Sequence, residues 1–96
     1  MKYLSFWTIT DLEKAEAVMR KTMEISKENP GTYSKSLSKL YMIAGTNTGV
    51  NILEGTPEQV ANDMVYWEGC MDMEYVPLIE WDKYVEALRE KRKREA

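Results

Sequence analysis

The chain has 96 residues, 44% of them hydrophobic and 30% charged, with a formal net charge of −3 and no histidine. That length supports one domain with a single modest core, and the composition is that of a globular chain rather than a disordered one. The lack of histidine excludes a Ser-His-Asp triad, a Cys-His dyad, His-ligated haem and ordinary His-containing zinc or iron sites, and the lone Cys70 excludes an intrachain disulfide framework.

Tyr3 to Ile9, rich in aromatic and β-branched residues, predicts a first strand. Thr10-Asp11-Leu12-Glu13 has the form of a capping box, with the Thr10 hydroxyl capping the Glu13 N–H. In the helix that follows, Leu12, Ala15, Met19, Thr22 and Ser26, flanked by Val18 and Ile25, trace one face at helical spacing. Asn29-Pro30-Gly31 forbids its continuation. Thr32 to Lys39 is polar and reads as a loop. Leu40–Ala44 and Val50–Glu54 read as the second and third strands, joined by a hairpin turn over Gly45–Gly49.

Thr56, Pro57 and Gln59 mark a second helix start: cap, first helical position and closing residue of a capping box. Val60, Met64, Trp67 and Met71 form its expected buried stripe, with Gly69 in the last turn. Glu74–Ile79 reads as the fourth strand, and Pro77 places it at an edge or bulge because proline cannot donate to a ladder. Trp81 onward predicts a final helix with Tyr84, Val85 and Leu88 as its apolar face and a basic end.

The order strand, helix, strand, strand, helix, strand predicts an α+β fold, a ferredoxin-like βαββαβ subunit with a four-stranded antiparallel sheet and both main helices on one face. Residues 1–96 form one domain, with 81–96 as an extra C-terminal helix and basic tail. Four strands span about 19 Å at 4.8 Å each, and two helices 8–10 Å apart cover about that width on one face only. Yet the strands are apolar on both sides: Tyr3, Trp7 and Ile9 oppose Leu4 and Phe6, and Leu40, Met42 and Ala44 oppose Tyr41 and Ile43. Monomers rarely leave such a surface in water. The expectation is a homodimer through the open sheet face, closing a dimeric α/β barrel; the alternative is that the C-terminal helix folds under its own sheet.

The segments "MKYLSFWTIT", "ILEGTPEQVANDMVYW" and "MEYVPLIE" resemble a family of short prokaryotic proteins of unknown function in the dimeric α/β-barrel superfamily. The resemblance rests on the overall pattern and on Trp7, Glu54, Trp67 and Pro77. It implies a ferredoxin-like subunit and a space between sheet and helices that relatives fill with flat aromatic ligands. The superfamily includes cofactor-free monooxygenases, haem-handling enzymes, ligand-sensing domains and proteins of unknown role; the absence of histidine departs from the haem-handling branches.

Trp7, Tyr41, Trp67 and Tyr75, with Met64 and the polar Asn51 and Asn62, are the candidate lining of a ligand pocket. Met42 and Asp63 are further candidates. Core packing is the commoner fate of such aromatic and methionine stripes. Glu54, Glu74 and Glu80 are candidate bases, more often strand-end solubilisers. Arg89–Arg94 is a basic run on an otherwise acidic chain, so nucleic acid is not an expected partner and a solvated helix end is. No metal, cofactor or membrane partner is expected, and with neither signal peptide nor membrane span legible the expected location is cytoplasmic. Two functions follow: a small homodimeric module binding an apolar or aromatic ligand, or a cofactor-independent monooxygenase-like enzyme on a small aromatic substrate. A ring-sized cavity holding a polar group would favour the second, and a space packed solid by Trp7, Met64 and Trp67 would leave assembly alone.

Overall fold

Along β1 (Lys2–Ile9), side chains alternate in both bulk and destination. Tyr3, Ser5 and Trp7 are buried toward the helices, while Leu4, Phe6 and Thr8 are half-buried on the opposite face. The computed structural model describes residues 1–28 and 31–95. After β1 come α1 (Leu12–Glu28), β2 (Lys35–Ser36), β3 (Tyr41–Met42), β4 (Thr48–Glu54), α2 (Pro57–Tyr66), β5 (Met71–Pro77) and α3 (Trp81–Glu95). The fold is α+β, a five-stranded antiparallel open sheet with three helices. β1 lies centrally between β4 and β5, with Ser5 opposite Asn51 on one side and Tyr75 on the other.

α1 begins differently from the capping box that the sequence suggests. The backbone N–H groups of Thr10 and Asp11 both donate to Cys70 O, at 2.9 and 3.3 Å, so Thr10 is still tied to the end of the sheet. The cap passes to Asp11, whose Oδ1 accepts the Lys14 N–H at 3.1 Å. Among the described side chains of this helix Ala15 is the buried one; Val18 and Thr22 are half-buried, while Leu12 and Met19, which the apolar spacing places on the inward face, are exposed. Asn29 and Pro30, where the sequence predicts termination, fall outside the described residues, as do the side chains of Ile25 and Ser26.

The predicted loop over 32–39 contains β2, and the predicted strand Leu40–Ala44 shrinks to the two residues of β3. Both pair with the same edge of β4: Lys35 and Ser36 with Glu54 and Leu53, Tyr41 and Met42 with Val50 and Gly49. Between them Leu37 N–H donates to Ile52 O at 2.8 Å, and the Ser38 hydroxyl accepts the Ile52 N–H at 2.9 Å where a backbone carbonyl would otherwise stand. Five steps on one strand thus face three on the other, an irregularity that breaks the ladder.

α2 starts as its residues dictate. Thr56 Oγ1 accepts the Gln59 N–H at 3.1 Å, Gln59 Oε1 accepts the Thr56 N–H at 2.9 Å, and Pro57 occupies the first turn. It stops at Tyr66, earlier than the apolar stripe predicts. Gly69 follows the helix at φ +87°, which a side-chain-bearing residue rarely adopts, and the chain re-enters the sheet at Met71. Met71 is therefore a buried strand residue and Met64 an exposed helical one. β5 starts three residues before the predicted Glu74 and ends at Pro77, on an outer strand as proline requires.

The apolar core sits at one end of the sheet, where Trp7, Ala15, Cys70 and Met71 pack with Ile9, Val18, Trp67 and Met73 around them. α3 buries no residue. The radius of gyration is 16.8 Å and the longest extent 59 Å, against about 12.5 Å for the radius of a compact chain of this length. The excess is α3, a helix standing away from the body. No helix among the described residues is long and apolar enough to cross a membrane.

Trp7 lies flat over Gly49, its partner on β4, and a Cβ at position 49 would overlap the six-membered ring of the indole. Gly49→Ala should therefore destabilise the protein by about 1–3 kcal/mol through overpacking, measured by chemical denaturation; a change below about 0.5 kcal/mol would show that the indole has room to move.

Candidate functional site

Beside the core, the sheet and helices stand apart around a cavity of about 270 Å³. Its floor is the inward face of the three long strands: Ser5 and Trp7, then Asn51 and Leu53, then Met73 and Tyr75. Met19 and Thr22 of α1 and Asp63 and Tyr66 of α2 form the roof, with Trp67 just beyond, and the loop carrying Tyr33, Ser34 and Ser36 closes one side. The walls are chiefly aromatic rings, methionines and leucines. Tyr66 is held against Tyr33 and Trp67, with ring centroids 5.2 and 5.1 Å away.

The polar groups fall into two networks and one orphan. Trp7 Nε1 donates to Asn51 Oδ1 at 3.3 Å, and Asn51 Nδ2 donates to Ser36 Oγ at 3.0 Å, so both ends of the amide are occupied. Asp63, buried on α2, accepts the Ser34 N–H on Oδ1 at 3.2 Å and the hydroxyls of Ser34 and Tyr75 on Oδ2, the latter at 3.4 Å. Three donors from two other parts of the chain thus converge on one carboxylate. The Ser5 hydroxyl is fully buried and has no hydrogen-bond partner among the described residues. An orphaned buried polar atom costs roughly 1–3 kcal/mol, and this one lines the cavity.

Burial raises the proton affinity of Asp63 above the ordinary aspartate value, and the hydrogen bonds from Ser34, then Tyr75, hold it back. Burial also lifts the Tyr75 phenol far above its usual range, reinforced by the adjacent Asp63 charge and by the hydrogen bond to it. Tyr75 is therefore a fixed donor to the Asp63 carboxylate.

Of the residues singled out from the sequence, the structure brings Trp7, Asn51, Trp67 and Tyr75 together at the cavity. Tyr41 pairs with Val50 on the opposite sheet face and is exposed. Asn62 turns to the loop, where its Nδ2 donates to Thr32 O at 2.9 Å. Met64 lines an open depression beyond α2 with Val65 and Glu68. Met42 and the carboxylates Glu54, Glu74 and Glu80 are exposed, and Glu80 faces Lys2 Nζ at 3.6 Å. Ser5 also lines the cavity, and its parity with Tyr3 and Trp7 on β1 points it inward; Ser34, Ser36, Tyr33 and Tyr66 carry no spacing signal in the sequence.

Residues 1–92 match the family model described as a domain of unknown function, DUF3303. No curated protein matches the chain.

The folded state binds the Asp63 proton more tightly than the unfolded chain does. The stability that this proton contributes is complete below the unfolded value of about 3.9 and is lost as pH rises through the raised folded value. The stability of the natural chain minus that of Asp63→Asn should therefore fall with rising pH across that window, then level off. Urea denaturation of both at a series of pH values reads this directly; a difference that grows with pH would contradict the assignment.

Proposed function

The chain belongs to the DUF3303 family, and from that premise we propose that it is a small-ligand-binding protein, holding a compact, largely apolar or aromatic molecule between its sheet and helices. The observation that carries this reading is the cavity: about 270 Å³, apolar in most of its lining, with an unpartnered Ser5 hydroxyl. An apolar cavity of about 150 Å³ accepts benzene, so a substituted ring fits here with room for one polar group. Apolar walls and few convergent polar atoms are the usual make-up of small-molecule sites.

The finer architectural reading goes with it. The subunit is a ferredoxin-like unit whose second strand is broken into β2 and β3, and two copies pack sheet to sheet as a dimeric α/β barrel. The outward face supports this, since Leu4, Phe6, Val50, Ile52 and Val76 form adjoining cross-strand pairs there, and Tyr41 and Leu78 extend it. On α3 the exposed Trp81 and Tyr84 would be free in the dimer to reach the partner or the rim. A second functional reading, a cofactor-independent monooxygenase-like enzyme, is favoured by the criterion drawn from the sequence, a ring-sized cavity holding polar groups, and by Asp63, a buried carboxylate with raised proton affinity suited to take a proton from a ring hydroxyl.

A ligand at tenfold its Kd adds about 1.4 kcal/mol, so a ring compound such as phenol that saturates the cavity should raise Tm by about 6–11 °C. Ser5→Leu, which fills the floor, should remove the shift while the circular dichroism of the chain stays folded; a shift that survives it would place the ligand elsewhere. Oxygen uptake with a dihydroxy ring compound separates the enzyme from the binding module. Light scattering at micromolar concentration should give about twice the 11.2 kDa chain mass, and Phe6→Glu on the open face should return the single-chain value; a monomeric natural chain would sink the barrel.

A further inference from the structure

The cavity has a sign as well as a shape. Among the described residues, Asp63 is the charged one in the lining, and no lysine or arginine contributes to the wall. Nor does any described ion pair involve Asp63. Three donors, the Ser34 amide, the Ser34 hydroxyl and the Tyr75 hydroxyl, point at its two oxygens, and donors favour the ionised form. A desolvated carboxylate with hydrogen bonds but no counter-charge gains most from a cation brought to it. Around it stand Trp7, Trp67, Tyr33, Tyr66 and Tyr75, the ring types whose faces attract cations.

We infer that the ligand of this cavity is a small organic cation, an amine carried on an apolar or aromatic body, with its nitrogen at Asp63 and its body among the rings. The inference rests on the cavity being a ligand site and adds the chemical class. An anionic ligand fits poorly, because it would sit beside Asp63 with no basic group among the described lining residues to offset the repulsion. A neutral ring compound would fit by shape yet leave the carboxylate without its counter-charge.

Benzylamine, benzyl alcohol and benzoate share a body and differ in charge, so the natural chain titrated with each at neutral pH, read by calorimetry, separates the cases. Benzylamine should bind at least about tenfold tighter than benzyl alcohol, a difference of about 1.4 kcal/mol, and benzoate should be weakest. In Asp63→Asn the ratio of amine to alcohol affinity should fall to near one. In the natural chain, amine affinity should drop as pH falls and Asp63 takes up its proton, a readout that does not depend on the variant folding. Benzyl alcohol binding as tightly as the amine would overturn the charge assignment and leave the cavity as a neutral-ligand site. A preference for amine that persists in a folded Asp63→Asn chain would place the cation elsewhere. No binding by any of the three would overturn the ligand site itself, and this inference with it.

Discussion

Everything in the inner half of the molecule follows from the alternation of bulk along one central strand. The two-residue period of β1 sends Tyr3, Ser5 and Trp7 to the same face, large, small and large. Trp7 spreads over Gly49 and fills the core end, while Ser5 between the two rings fills almost nothing. The neighbours of Ser5 across the sheet are Asn51 and Tyr75, each turned to a hydrogen bond of its own. Close packing normally closes such a gap. Here the space persists beside a well-packed cluster, lined by rings from both sheet and helices.

The polar residues of that space also decide how the layers are joined. Asp63 ties α2 to the loop before β2 through Ser34 and to β5 through Tyr75, segments 29 and 12 residues away. Asn51 ties β4 to β1 through Trp7 and to β2 through Ser36. A buried carboxylate or amide is costly to leave unpaired, so each of these networks restricts where its elements can sit. The same contacts that position the cavity thus help to hold it open.

How much of this the sequence discloses depends on the range of the interaction concerned. Local rules read well: the Thr56 capping box, the edge position of Pro77, the first strand and the last helix are all set by residues within a few positions of one another. The start of α1 was misread because Thr10 and Asp11 both have capping side chains, and the choice falls to Asp11 through a bond to Cys70, sixty residues on. The end of α2 was misread because Val60, Met64, Trp67 and Met71 continue a helical spacing that Gly69 interrupts with a positive φ. Hydrophobic periodicity then pointed to Met64 as buried. The residue that α2 does bury is Asp63, a polar one, and no apolar pattern can locate a carboxylate whose partners lie elsewhere in the chain. Trp7, Asn51, Trp67 and Tyr75 were legible by strand parity or helical spacing; Ser5 obeyed the same parity and was passed over for being small.

The interrupted pairing along β4 bears on how the sheet can grow. One border is split into two dipeptide strips, with the Ser38 hydroxyl already occupying the Ile52 N–H that an incoming strand would seek. The other border, β5, ends in a proline with no proton to give and carries the charges of Asp72 and Glu74 along its length. Sideways addition of a further strand, the common route by which small sheets aggregate, meets an obstacle at both margins. What the sheet leaves open is its broad outward flank, a surface that cannot extend strand by strand into a fibre.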